Sequence, residues 1–318
     1  VREIQQLSPA EAERGYPVKL KGTVIYHAPG VSYRFLQDDT GGTYFSNPNT
    51  DPLDLSPLEP GLIIEIEGIT RAGGFAPYVG RNANRPLVWR ELGRGPLPTP
   101  RRVSVGDLAD PRFHSEYIEL SGVVRHVEER RFPDSTSRAV SIRVGSNTAT
   151  VTAQYFDPRG VTLLPEHFLG ARVTFRGVYG TTFNDQRQMV GFRLFFDPHH
   201  GLEVETPGPA DPLDSLPITP VSALMQYQST ARGSPMVRIA GTVTGGIAGQ
   251  GFYLESQERG VWIEVADPSL QPKPGERVAV AGFPSLGALN PILKDAVFRV
   301  ESRATLAPPP LIPAAQAR

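Results

Sequence analysis

The sequence predicts an all-β protein built as three tandem five-stranded barrels with short leader helices, and three observations predict it. A strand with a glycine in it occurs three times, over residues 18–24 around Gly22, 118–124 around Gly122 and 237–243 around Gly241. Apolar residues alternate with polar or small ones along each, so one face meets a core and the glycine falls where the strand bends or carries a bulge. A partner strand ending in glycine follows each copy, over 64–68, 173–177 and 278–282, and Gly61, Gly170 and Gly275 all stand seven residues before its terminal glycine. Recurrence on that scale marks a repeated module. Finally, 32 glycines and 32 prolines among 318 residues supply the tight turns that many short strands need.

Taken in order, residues 1–15 read as a short leader helix, with Ser8 as cap, Pro9 at the first helical position, and Glu11 and Glu13 favoured by the positive end of the dipole. Similar leaders precede the other modules, over 103–108 and 221–224. After the first strand come a loop through Ala28, Pro29 and Gly30, a strand over 33–39, a turn at Gly41 and Gly42, and a strand over 43–46, which is a hairpin by its turn chemistry. The third module repeats the hairpin as 251–255 and 260–264; the second, divergent copy has 140–144 and 149–152, with a longer charged insertion over 128–138 ahead of it. Each module closes with one more strand, at 78–79, 192–195 and 297–300. Proline-dense stretches over 95–100 and 206–212 read as stiff spacers. They give modules over 1–93, 94–207 and 208–304, arranged lengthwise as an articulated rod, and a proline-rich connector over 305–318.

A five-stranded barrel whose first strand bends at glycine is the geometry of an OB-fold. The strand over 18–24, Phe35-Leu36-Gln37-Asp38 with Gly41-Gly42 behind it, Pro60-Gly61 leading to Glu65-Ile66-Glu67-Gly68, and Gly73-Gly74-Phe75-Ala76-Pro77 together make the chain resemble a known group. It resembles the OB-like sensory regions outside the membrane in bacterial sensor histidine kinases and related membrane-bound signalling proteins. The resemblance covers all three modules, strongest in the first and weakest in the second. It implies a non-catalytic sensory or interaction ectodomain, periplasmic or at the cell surface, whose reading frame continues beyond Arg318 into an apolar span and a cytoplasmic output domain. It carries over no catalytic residue.

Composition narrows the classes of function. With 32 Lys plus Arg against 33 Asp plus Glu, the net charge of -1 provides no field to concentrate the protein on nucleic acid. Cysteine is absent, which removes disulfides, thiolate catalysis and zinc–thiolate sites. No phosphate-cradling loop, nucleophile elbow or His-Glu-x-x-His helix occurs. Asp197, His199 and His200 could coordinate a metal, but adjacent histidines in a Pro/Gly loop lack the usual ligand spacing, and a solvent-facing turn is the plainer reading. Asp38 and Asp39 precede two glycines, which points to a turn and away from acid–base work. Both signs of charge interleave over 125–131, as in a solvated loop.

The binding signal is aromatic. OB barrels bind through the face of strands two and three and the loops beside it. In the first module that face would gather His27, Tyr33, Tyr44, Phe75 and Tyr78, with Arg34 and Arg71 supplying charge. Such a platform suits a sugar, a peptide or a stacked base; equally, these residues can fill the barrel. No cofactor and no metal is expected, the partner is an unknown small ligand or protein, and membrane contact would come only through a segment outside this sequence. Alternatives to the sensory reading are an OB-fold binder of nucleic acid or oligosaccharide and an extracellular structural rod.

Overall fold

Alternation in sequence becomes strand pairing throughout a computed structural model that describes residues 1–28, 33–46, 58–132, 137–146, 149–186, 188–224, 236–257, 259–287, 290–303 and 306. The loop at Pro29 and Gly30 and, apart from Leu306, the proline-rich connector lie outside the described residues. The chain divides into two units, Val1–Gly208 and Pro209–Arg318.

The first unit opens with α1 (Arg2–Gln5) and α2 (Pro9–Ala12). The leader is two helices, α1 ending at its cap Gln6 and α2 starting at Ser8, whose side chain accepts from the Glu11 amide while the Glu11 carboxylate accepts from the Ser8 amide, with Pro9 at the first turn. The first OB-like barrel, a curled six-stranded sheet, follows as β1 (Pro17–His27), β2 (Arg34–Asp38), β3 (Gly41–Tyr44), β4 (Leu62–Arg71), β5 (Tyr78–Gly80) and β6 (Val88–Arg94). Strand β1 pairs with β2 and β4, β2 with β3, and β4 with both β5 and β6, all antiparallel. A single parallel bridge, Phe45 to Val79, links the β3 side to β5. Val24, Leu36, Leu62, Ile64 and Ile66 are buried in its core with Ile4 of the leader. Burying one such side chain fully stabilises by about 1.5–3 kcal/mol. Asp38 makes the turn between β2 and β3, accepting from the Thr40 amide and hydroxyl and from the Gly41 amide.

The second barrel comprises β7 (Arg101–Val103), two 3-10 turns (Val105–Ala109 and Pro111–Phe113), β8 (Tyr117–Arg131), β9 (Arg138–Gly145), β10 (Thr150–Asp157), β11 (Arg172–Phe183), β12 (Met189–Phe195) and β13 (Leu202–Thr206). Pairings β8–β9, β9–β10, β10–β12, β12–β11 and β11–β8 complete a ring, with β10 and β12 parallel. The charged stretch expected as a solvated loop is strand: β8 runs to Arg131 and stays paired with β9 through Arg131 and Arg138. Period-two alternation lets its exposed end carry charge without leaving the sheet. Arg125 itself is buried and donates to the Ser146 carbonyl at 3.0 Å.

In the second unit a 3-10 turn (Val221–Ala223) precedes β14 (Val237–Ile247), β15 (Gly251–Ser256), β16 (Arg259–Val265), β17 (Glu276–Leu286) and β18 (Pro291–Arg303), which close a barrel in the order β14-β15-β16-β18-β17. Val221 and Leu224 of the leader are buried in its core. First-to-second, first-to-fourth and parallel third-to-fifth pairings are the OB arrangement, and the second barrel repeats them. The fifth strand distinguishes the copies. It is continuous as β18 but broken into β12 and β13 in the second barrel and into β5 and β6 in the first.

Glycine in the first strand has a narrower task than bending. A Cβ on Gly22 would lie 2.6 Å from Leu36 Cδ1 and 2.8 Å from the Gln37 carbonyl; on Gly122, 2.9 Å from Val144 Cγ2; on Gly241, 2.3 Å from the Glu255 carbonyl. Its absence lets the second strand cross closely. The register shift comes three residues later, at Ile25, Arg125 and Thr244, in each copy.

The first two barrels pack directly against each other and are not held apart by a spacer. They share an apolar cluster of Ile25, Tyr26 and Phe35 from the first and Tyr117, Val178 and Phe195 from the second, and Leu97 of the supposed spacer packs against it. Gln37 Oε1 accepts from the Tyr117 amide at 3.0 Å. A Cβ on Gly42 would fall 1.8 Å from the Ser115 carbonyl oxygen, so glycine there serves the junction between barrels as well as the hairpin. A proline-dense segment can run along an interface as well as span a gap.

Candidate ligand cleft

Parity along the strands decides which side chains meet at this junction. In β2, Leu36 enters the first barrel's core, so Phe35 and Gln37 point outward; across β3, Tyr44 stands opposite Phe35. In the second barrel Ala153 and Tyr155 of β10 and Leu194 of β12 turn inward. Gln154, Arg193 and Phe195 therefore face out, and Gly180 of β11 stands opposite Arg193. The two outward faces do not close completely. Between them lies a cleft of about 670 Å³.

Its walls set aromatic rings beside polar groups, among them Glu13, Arg71, His114, Thr181 and Arg193. Tyr33 stacks on Phe195 with ring centroids 4.7 Å apart, Phe35 meets Tyr44 at 5.5 Å, and Tyr44 meets Tyr78 at 5.3 Å. The β4–β5 loop adds Gly73, Gly74 and Phe75, and Phe75 sets its ring edge-on to His114 at 5.4 Å. Gly180 is required here: a Cβ would lie 2.5 Å from Phe195 Cε2. Arg71 pairs with Glu13 at 2.9 Å. Arg193 donates from Nη1 to Gln154 Oε1 at 3.1 Å, and Gln154 is buried. The His114 ring nitrogen Nδ1 lies 3.0 Å from Thr181 Oγ1, and burial pushes its pKa from 6.5 down to about 4.

Of the residues singled out in the sequence, Tyr33, Tyr44, Arg71, Phe75 and Tyr78 line this cleft. Arg34 and His27 do not. Arg34 shares the inward parity of Leu36, is buried, and stands opposite His27 in the β1–β2 register. Neighbours on a strand cannot both face one ligand, which separates Arg34 from Tyr33 and Phe35. Sequence reasoning missed Phe35, His114, Arg193 and Phe195. The last three belong to the second barrel, where the only available signal was the outward pair Arg193 and Phe195 flanking an inward leucine.

Elsewhere, Asp197 closes its turn by accepting from the His199 amide at 2.8 Å and lying 3.1 Å from His200 Nδ1. Among the described residues no cluster of three or more His, Asp or Glu is placed to hold a metal, and no helix is long and apolar enough to cross a membrane. On the second unit's β15–β16 face, Tyr253 is 51% exposed and lies 4.7 Å from Trp262, ring to ring.

No protein-family model matches the chain, and no curated protein matches it. Solved structures show distant likeness. The p204 HINb domain is similar over 60% of this chain and 98% of its own, at 11% identity and TM-score 0.29. A replication protein A heterotrimer bound to ssDNA is similar over 91% of this chain and 79% of its own, at 10% identity and TM-score 0.29. A murine DNA-binding protein bound with ds DNA is similar over 61% and 98%, at 12% identity and TM-score 0.30. Likeness at this level assigns neither a family nor an activity to the chain.

Proposed function

We propose that this chain is a non-catalytic binding protein whose first two barrels close around a small organic ligand. The observation that carries this reading is the cleft itself, about 670 Å³ between two outward sheet faces and walled by Tyr33, Phe35, Tyr44, Tyr78 and Phe195. That volume lies in the range of about 300–1,000 Å³ typical of small-molecule sites, which combine aromatic surface with placed polar groups as this cleft does. An extended polymer is disfavoured there, because the second barrel covers much of the face along which a strand would run.

Catalysis has one structural argument in its favour and a stronger one against. A threonine hydroxyl 3.0 Å from an imidazole is the start of a nucleophile–base arrangement. With its pKa near 4, His114 is a poor base at neutral pH, and among the described residues no carboxylate orients it. A sensory role outside the membrane, as the resemblance implies, fits a site shared by two barrels, since a ligand touching both biases their junction. The extracytoplasmic placement rests on the resemblance alone.

The test is a thermal-shift screen of the whole chain with sugars, amino acids, nucleosides and aromatic acids, repeated on Ala76→Trp, which fills the cleft. Ligands that raise the melting temperature of the parent and not of the variant support the reading. Ligands that stabilise both equally count against it.

A second reading, polymer binding on an OB face, has its own observation in the exposed Tyr253–Trp262 pair. Base or sugar stacking would use it. Exposed Glu255 on the same strand and Glu264, 3.8 Å from Lys294, oppose phosphate and favour a neutral oligosaccharide. Salt-dependent binding of oligo-dT that Tyr253→Ala removes would favour nucleic acid; salt-independent binding of a hexasaccharide would favour sugar.

A further inference from the structure

We infer that the cleft takes a small organic anion, a ring-bearing body with one acidic group, and that Arg193 holds that group; the inference rests on the small-ligand reading above. It follows from how the cleft's charges are paired. Arg71 is neutralised by Glu13 at 2.9 Å. His114 is uncharged at neutral pH. Arg193 differs from both. Its described polar partner is Gln154, a buried neutral amide that accepts at 3.1 Å and so fixes the guanidinium without cancelling its charge. Among the described residues no carboxylate lies within 4.0 Å of it.

A partly buried guanidinium whose charge is not cancelled attracts an anion more strongly than one in open water, because the surrounding dielectric is lower. The surroundings leave room for one. Gly180 stands opposite Arg193 across the β11–β12 ladder, so no side chain from that position covers the guanidinium. Phe195, two residues along the same strand face, continues the wall into its stack with Tyr33 at 4.7 Å. Acid to Arg193 and ring against Phe195 and Tyr33 is thus a single pose. Carboxylate and phosphate share this chemistry, since a guanidinium offers two parallel donors to either.

Calorimetric titration of the whole chain with 2-naphthoate, 2-naphthyl phosphate and the neutral 2-naphthylmethanol tests the inference and separates the two acids. At least one anion should bind about tenfold or more tightly than the alcohol, as a charge-assisted pair requires. Arg193→Gln should bring that anion down to the alcohol's affinity, and Arg193→Lys should keep part of the preference, which a folding defect would not do. If the alcohol binds the parent as tightly as both anions, the charge assignment falls and the small-ligand reading stands. Should none of the three bind at millimolar concentration, both fall.

Discussion

Two aromatic pairs occupy the same place in two barrels and meet opposite fates. Phe35 and Tyr44 face each other across β2 and β3; Tyr253 and Trp262 face each other across β15 and β16. Register makes them equivalent, since Val24 opposes Leu36 as Val243 opposes Leu254, with the bulge next to each. Yet Phe35 is 4% exposed and Tyr253 is 51% exposed. The strand supplies an outward aromatic pair in both; only the first has a second barrel within its own unit to cover it. At the equivalent positions the second barrel has Arg143 and Thr152, so it presents no such pair of its own. The β2–β3 face of an OB barrel is therefore a common resource, used here once to build a cleft and once left open.

The largest expected effect separates these pairs by stability. Phe35→Ala should cost about 3–5 kcal/mol, as for a buried core aromatic, whereas Tyr253→Ala should cost about 1 kcal/mol or less. Denaturant midpoints of the two variants check it, and equal losses would break the comparison. Next comes a glycine pair. Gly42 opposes Gln37 as Gly260 opposes Glu255, but a Cβ on Gly42 would strike the Ser115 carbonyl oxygen, while one on Gly260 meets nothing within 4 Å. Gly42→Ala should destabilise by about 2 kcal/mol or more and weaken ligand binding; Gly260→Ala should fall within about 0.5 kcal/mol of the parent.

A smaller effect reads the cleft through pH. Burial holds His114 near 4 in the folded chain against an ordinary 6.5, so between those values the unfolded chain binds the extra proton. Stability must then rise with pH across that window and fall as pH drops from 6.5 towards 4. Carboxylates held below their ordinary range, such as Asp157 and Glu119, also lose stabilisation in acid, so the informative quantity is the difference from His114→Asn. The variant should lose less stability over the window, by an amount approaching one proton taken up on unfolding. Parallel pH profiles for the two would place His114 in solvent.

These contrasts also mark what the sequence could disclose. Gly22, Gly122 and Gly241 announce the repeat because a strand that must pass close to its neighbour tolerates no side chain, and that constraint recurs in every copy. Tyr33, Tyr44 and Tyr78 were legible as candidates from the face through which OB barrels bind. Their covering was not, since an outward aromatic reads the same whether it faces water, ligand or another barrel. Arg34 shows the limit of reading composition without parity, and Arg193 shows the limit of reading one module at a time. Its partner Gln154 and its cross-strand neighbour Gly180 lie on different strands, and the ring that stacks on Phe195, two residues along, belongs to another barrel.

The second barrel closes the aromatic face of the first, and the two meet in the Tyr33–Phe195 stack, with centroids 4.7 Å apart and rings 28° from parallel. A double-mutant cycle on Tyr33→Ala and Phe195→Ala, read from unfolding free energies of the whole chain, isolates this contact between barrels. A coupling of about 0.5–1.5 kcal/mol is the result this structure predicts. Strict additivity of the two substitutions would mean that the rings do not meet, and the cleft, the small-ligand reading and the role of Arg193 would all lose their basis.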